Sequence, residues 1–260
     1  MSEPLRFRGG GFVTRPKPIS SCLAGLAVVA IWQAVASAGW VSPVFLPSPA
    51  GIARALAEMA LSGQLWRHLA ASLQRILLGF ALGSAAGLAF GLALGLLSHA
   101  RAAGLPIVSA LFPIPKIALL PLFILWFGIG EPSKVATIAL GVFFPMAIAT
   151  YSGVDQVPRT LIRMAQSFDV PTHAVVAKVI LPGALPGILS GVRISASIAL
   201  ILVVAAEMIG AEFGVGAFIL TAGNLMRTED LLAGVCLLSI LGLAVGFLVS
   251  LAERRLLAWR

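Results

Sequence analysis

Charge is what this chain has least of. Asp, Glu, Lys and Arg make up 11% of its 260 residues, and its mean hydropathy is +1.03. A soluble domain of this length needs far more polar surface, so a water-facing globule is excluded. Cysteine is nearly absent as well. Cys22 and Cys236 both fall in apolar runs, which argues against a disulfide framework and leaves packing as their role. His68, His99 and His173 are scattered without metal-ligand spacing. The dipeptide Gly-Lys never occurs, so the chain lacks a G-x-x-x-x-G-K-S/T phosphate loop and is not its own ATPase by that mechanism. It also lacks a G-x-S-x-G nucleophile elbow. No two carboxylates share an apolar run, which speaks against a proton relay. Catalysis on this chain is not expected.

Apolar length is what the chain has instead. Charge-free runs cover 19–40, 76–98, 135–153 and 231–252, while 105–130 and 184–206 hold one charge each, Lys116 and Arg193. A bilayer core takes about 20 apolar residues per helix. These runs predict an all-α membrane protein with six transmembrane helices over 19–260, preceded by a polar tail at 1–18. The first run is longer than a signal core and lacks a small-residue cleavage site before Trp40, so it reads as a retained helix.

Basic residues set the expected orientation. If six helices alternate, one side collects Arg6, Arg8, Arg15, Lys17, Arg101, Arg159, Arg163, Lys178, Arg254, Arg255 and Arg260 against few acids. The other side mixes Arg54, Arg67, Lys134 and Arg227 with Glu58, Glu131, Glu212, Glu229 and Asp230. Lys and Arg mark the cytoplasmic side, so both termini are expected there. The net charge of +8 is then an orientation signal, and nucleic acid is not an expected partner.

Local patterns refine this picture. Ser48 ahead of Pro49 predicts a capped amphipathic helix over 49–61 at the outer surface. Gly79, Gly83, Gly87, Gly91 and Gly95 draw one stripe along a helix that admits a close neighbour. Packing within the chain is the expected use, and a subunit interface the alternative. Pro106, Pro113, Pro115 and Pro121 forbid a straight third span. Broken backbone at membrane depth needs shelter in protein or a water-filled cavity, which puts this span near a solute path. Lys116 in its middle is a candidate lining residue, or else a donor to the carbonyls freed by proline. Glu207 lies about 34 Å along a helix from Ala184, near the outer mouth. It is a second lining candidate, or else an interfacial cap.

The segment RMAQSFDVPTHAVVAKVILP, residues 163–182, resembles the cytoplasmic EAA loop of ABC importer permeases. That pattern runs Glu-Ala-Ala, three residues, Gly, nine residues, Ile, one residue, Leu-Pro. It falls here on Arg163, Met164, Ala165, Asp169, Val179, Leu181 and Pro182. Arg163 reverses the charge of the leading Glu, which implies an acidic complement on the partner, and Asp169 replaces Gly. HLAASLQRILLGF, PIPKIALLPLFILWFGIGEPSKV, FFPMAIATYSGV, LPGALPGILSGVRIS and VVAAEMIG are similar to the nitrate, sulfonate and taurine branch.

The resemblance implies a type I ABC importer permease fold with a coupling helix in the loop at 154–182. It implies an ABC ATPase subunit that holds ATP and Mg, an external solute-binding protein, and a second permease chain, expected as a homodimer. It further implies a small anionic solute, residence in the inner membrane, and no cofactor on this chain. On this view Pro182 and Pro186 end the coupling segment and start the fifth span at a set angle, with Lys178 and Arg193 holding the corner. Asp169 supplies a left-handed turn and a cap ahead of a helix at 171–179. The alternative is a secondary transporter or channel that works without an ATPase.

Overall fold

In lipid every backbone polar group must be satisfied within the chain, and helices are the way this sequence does it. This computed structural model describes residues 7–8, 11–12 and 18–259, with side chains from 22 to 259. Most of the tail expected at 1–18 lies outside the described residues; within it Phe7–Arg8 (β1) and Gly11–Phe12 (β2) pair antiparallel. Helices follow: α1 (Pro18–Ser37), α2 (Pro49–Leu61), α3 (Gln64–Leu96) and α4 (Ser98–Leu111). A 3-10 turn at Lys116–Leu119 enters α5 (Leu120–Phe127). Then come α6 (Glu131–Asp155), α7 (Arg159–Ser167), α8 (Thr172–Val175), a π turn at Val176–Ile180, α9 (Leu181–Glu207), α10 (Val215–Asn224) and α11 (Thr228–Leu256).

Among the described residues four helical stretches are long and apolar enough to cross a membrane: α3, α6, the continuous run Thr172–Glu207, and α11. A fifth crossing is broken: α4 and Lys116–Phe127 meet at 89°. The apolar part of α1 with described side chains, Cys22–Ser37, is shorter than a full span. Charge-free runs understate two of the helices. α3 starts at Gln64 rather than 76 and α6 at Glu131 rather than 135, because the charges that end those runs are satisfied inside the fold, Arg75 by Glu131 and Glu207 and Lys134 by the Gly130 carbonyl. At 33 residues α3 is about 50 Å long, well beyond the roughly 30 Å of hydrocarbon in a bilayer.

α6 is the central helix, gripped by α3 on one side and α9 on the other. Glycine makes both contacts close. A Cβ at Gly87 would lie 2.6 Å from the Phe143 carbonyl oxygen, one at Gly79 2.6 Å from Ile138 Cβ, and one at Gly95 2.7 Å from Val154 Cβ. At Gly83 and Gly91 it would press on the carbonyls of Ala139 and Ala147. The stripe on α3 is thus spent on packing within the chain. Toward α9, a Cβ at Gly187 would sit 2.7 Å from the Gly153 Cα of α6. Between the two contacts Ile138, Val142, Ala199 and Val203 are wholly enclosed.

α2 docks on the start of α11. The Ser48 side chain caps it by accepting from the Gly51 N–H at 3.0 Å. Its inward residues Ile52 and Ala55 meet Ala233, in a cluster closed by Trp32 of α1.

A valine at Gly83 has no room against the α6 backbone, and overpacking of this kind costs about 1–3 kcal/mol. Gly83→Val is expected to lower the thermal midpoint of the detergent-purified protein, whereas Gly246→Ala, with open space around the new methyl, is not. Differential scanning fluorimetry checks both.

Candidate functional site

Three places join helices through polar chemistry, and the first is a buried charge network where α3, α6 and α9 meet. Arg75 points from α3 into the bundle and is 3% exposed. Its Nε and Nη2 donate to the two oxygens of Glu131, at the start of α6, each at 2.6 Å. This is the bidentate fork that suits guanidinium to carboxylate. Its Nη1 donates to Glu207 Oε1 at 2.7 Å and to the Phe213 carbonyl at 2.6 Å.

Glu207 ends α9 and is 1% exposed. Ser72, one turn before Arg75, donates to Glu207 Oε1 at 2.8 Å and accepts from the Val215 N–H at 2.9 Å. The Gly216 N–H completes the carboxylate, donating to Oε2 at 2.9 Å. Gly214 has φ 143°, in the region that favours glycine, and a Cβ there would run into the Glu207 carboxylate. Backbone and side chains therefore close over this acid from three sides. A second contact fixes the same loop, with His68 Nδ1 2.9 Å from the Gly214 carbonyl oxygen.

Glu207, read from sequence as a lining candidate, is thus enclosed within the chain and presents no surface to an open path in this conformation. Sequence reasoning does not single out Arg75, Ser72 or Glu131. The signal was two arginines in the first half of α3, Arg67 and Arg75, and one acid at the end of each of two other spans. The rule that no two carboxylates share a span hides their meeting across helices.

The second place is the broken span. Pro115 has no N–H to offer the Leu111 carbonyl, and Pro113 removes another donor. The Lys116 Nζ takes their place, donating to the carbonyls of Leu111 (2.8 Å), Phe112 (2.9 Å) and Ile114 (2.7 Å). It also lies 4.4 Å from the centre of the Phe144 ring on α6. The geometry is that of a staple across the 89° bend.

The third place is at the opposite end of the bundle from Arg75. α7 carries Arg163 and Met164, both exposed, and Ala165, which is buried against Val154, Val157 and Val175. Leu161, Met164 and Phe168 form an exposed apolar stripe. Asp169 has φ 52°, and around it the Asp169 N–H bonds the Gln166 carbonyl (3.0 Å) while the Val170 N–H reaches back to Ala165 (3.1 Å). This pair of bonds is the Schellman arrangement, with Asp in the position glycine usually holds. Asp169 supplies the left-handed turn, but its side chain caps no helix: α8 begins after Pro171 without a side-chain cap.

The corner expected at Leu181–Pro182 is not there. The chain is helical without a break from Thr172 to Glu207, and the turn lies earlier, at 168–171. Proline is tolerated because the helix widens just before it: the Leu181 N–H bonds Val176, five residues back. Val179, Leu181 and Pro182 are half-buried along this rod. Lys178 is exposed, and Arg193 reaches Glu253 and Ser250 on α11, so neither braces a corner.

Removing one member of a buried ion pair strands the other and costs about 3–5 kcal/mol, whereas replacing both with apolar groups costs much less. Arg75→Met is expected to lower the thermal midpoint sharply, and Arg75→Met with Glu207→Leu to recover a large part of the loss in a double-mutant cycle. Lys116→Met takes the donor from the Phe112 and Ile114 carbonyls, while Leu111 keeps the Ile114 N–H, at about 1–3 kcal/mol. It is expected to destabilise the purified protein while leaving the solute concentration for half-maximal uptake unchanged.

Residues 79–258 match the family described as binding-protein-dependent transport system inner membrane component. A protein named for aliphatic sulfonates transport, the permease SsuC of Bacillus subtilis (strain 168), is 40% identical over 90% of this chain and 84% of its own length. The taurine transport system permease protein TauC of Escherichia coli (strain K12) is 37% identical over 94% and 90%. The riboflavin transport system permease protein RibX of Chloroflexus aurantiacus is 37% identical over 90% and 87%. Among solved structures, the MetNI methionine ABC transporter in an inward facing form superposes with TM-score 0.60 at 22% identity, over 75% of this chain and 95% of that one. An amino acid ABC transporter gives TM-score 0.63 at 18% identity, over 77% and 97%. These two share the fold. A transporter working without an ATPase is not favoured. The chain belongs to the binding-protein-dependent transport system inner membrane component family: it is a non-catalytic, multi-pass permease subunit of an ATP-binding-cassette importer, and ATP hydrolysis belongs to a partner ATPase.

Proposed function

We propose that this permease carries small alkanesulfonates, including aminoalkanesulfonates of the taurine kind, into the cytoplasm. The likeness to permeases named for aliphatic sulfonates and taurine, over nine-tenths of the chain, carries this reading. The α7 end faces the cytoplasm, as do both termini. Support comes from the basic residues that gather there: Arg101, Arg159, Arg163, Lys178, Arg254 and Arg255. The Arg75 end faces outward and receives the solute-binding protein. Two copies of the chain form the path between them, and ATP with Mg sits on the two ATPase subunits.

α7 is the element that meets the ATPase. Its stripe of Leu161, Met164 and Phe168 is apolar and exposed on a helix that ends in a fixed turn. Arg163 lies beside the stripe and calls for an acidic partner in the ATPase groove. Movement of that groove enters the chain at the Asp169 turn and passes into the rod from Thr172 to Glu207. The rod is 36 residues, about 54 Å. Its near end is seated on α6 at Gly153 and Gly187, and its far end is clamped by Arg75. The three helices therefore move as one body, and the path opens or closes between the two copies.

Reconstitution with the ATPase and the binding protein in proteoliposomes tests this. ATP-dependent uptake of ethanesulfonate or taurine is expected; uptake of riboflavin alone overturns the solute class. In the same vesicles Asp169→Gly is expected to keep solute-stimulated ATP hydrolysis. Asp169→Ala, which strains the left-handed turn by about 1 kcal/mol, is expected to weaken ATPase docking and lower stimulation severalfold. Equal stimulation in the Ala variant and the parent contradicts the role given to the turn.

A further inference from the structure

Beside the Arg75 network is an opening of about 330 Å³, between the first turns of α3 and the loop that leads into α10. Gln64, Arg67 and His68 line it from one face of α3, and Phe213, Ala217 and Phe218 from the other side. Its chemistry differs from that of the network. Arg67 is exposed and makes no ion pair among the described residues; its guanidinium carbon lies 4.5 Å from the centre of the Phe213 ring. The His68 ring is fixed through Nδ1 to Gly214 and sits 5.4 Å from the Phe218 ring. Phe213, Ala217 and Phe218 give the opening an apolar patch, Thr221 and a second cation, Arg227 (paired with Asp230), complete its lining, and one acid, Glu212, stands on the rim.

We infer that this opening is an outer vestibule site for a monoanionic alkanesulfonate, with Arg67 as the residue that takes the sulfonate oxygens. The inference rests on the proposed solute class and adds a place for the solute within this single chain. A guanidinium edge matches two oxygens of one sulfonate. Ala217 and Phe218 cover a short alkyl body. Glu212 disfavours dianions by repulsion and accepts the ammonium of an aminoalkanesulfonate. The site also touches the clamp: the Phe213 ring carries Arg67, and its carbonyl accepts from Arg75. An arriving solute therefore meets the loop that closes over Glu207.

The test uses the whole complex in proteoliposomes, with uptake rate measured against the concentration of ethanesulfonate-loaded binding protein. Loss of one charged hydrogen-bonding group predicts a fall of about tenfold or more in maximal rate for Arg67→Gln. The half-saturating concentration of binding protein should stay the same, and Arg67→Lys should restore part of the rate. An unchanged maximal rate overturns the site. So does a raised half-saturating concentration with normal maximal rate, since Arg67 then meets the binding protein rather than the solute. A second measurement needs no transport. Saturation-transfer NMR of ethanesulfonate with the detergent-purified permease–ATPase complex, without binding protein, is expected to give a signal in the parent that Arg67→Gln loses. Equal signals overturn the site even where uptake proceeds. Failure of the parent complex to carry any sulfonate overturns the solute class itself, and the ligand assigned to this opening goes with it.

Discussion

One guanidinium holds the far end of this bundle together. Arg75 takes five donors into a place where water is scarce, and bonds to Glu131, Glu207 and the Phe213 carbonyl use three of its nitrogens. Each partner comes from a different part of the chain: α6, α9 and the loop before α10. Two cations meet two acids here: Lys134 is buried beside Arg75 and donates to the Gly130 carbonyl, Glu207 is deeply buried with them, and the Glu131 side chain is 55% exposed and keeps much of its solvation. A lone carboxylate at the position of Glu207 would be very costly. With Arg75, Ser72 and the Gly216 N–H around it, the same carboxylate fixes the end of α9. Affinity for the bilayer cannot do this, since lipid tails are as apolar as the helices they would separate.

The other contacts gain meaning from that clamp. Glycine on both faces of α6 brings α3 and α9 to backbone distance along their length, but close packing by itself permits sliding. The charge network sets the register at one end, and Arg101–Asp155 and Arg193–Glu253 add ties toward the other. The π turn at Val176–Ile180 lets a helix carrying Pro182 stay continuous. What results is a stiff block with an amphipathic helix, α7, attached through a tight turn. Such a block suits a subunit that hydrolyses nothing and transmits the movement of one that does.

Much of this was legible in the sequence. Periodic glycine announced the α3 contact, Ser48-Pro49 the capped helix α2, and the proline cluster the broken crossing. The segment from Arg163 to Pro182 announced a left-handed turn at Asp169. Three features were not legible, each for a physical reason. Span limits drawn from charge-free runs stopped at Arg75 and Lys134, because a run cannot reveal that a charge has a partner inside the fold. Glu207 has the composition of a gate residue, and only the arrangement of α3 reveals that it is enclosed. A Leu-Pro pair reads as a corner, yet one widened turn absorbs it, and the chain turns instead at Asp169, where the left-handed residue was expected.

The central claim is that α3, α6 and α9 move as one body because Arg75 locks them. Spin labels on Leu77 of α3 and Ile201 of α9, both exposed, in complexes where a single permease chain is labelled, read this directly by electron–electron double resonance. One distance distribution is expected, the same without nucleotide and with ATP bound. A distance that shifts by several ångströms (a scale set by helix displacements in switching proteins) between the two states contradicts it, because the block would then flex where it is said to be locked.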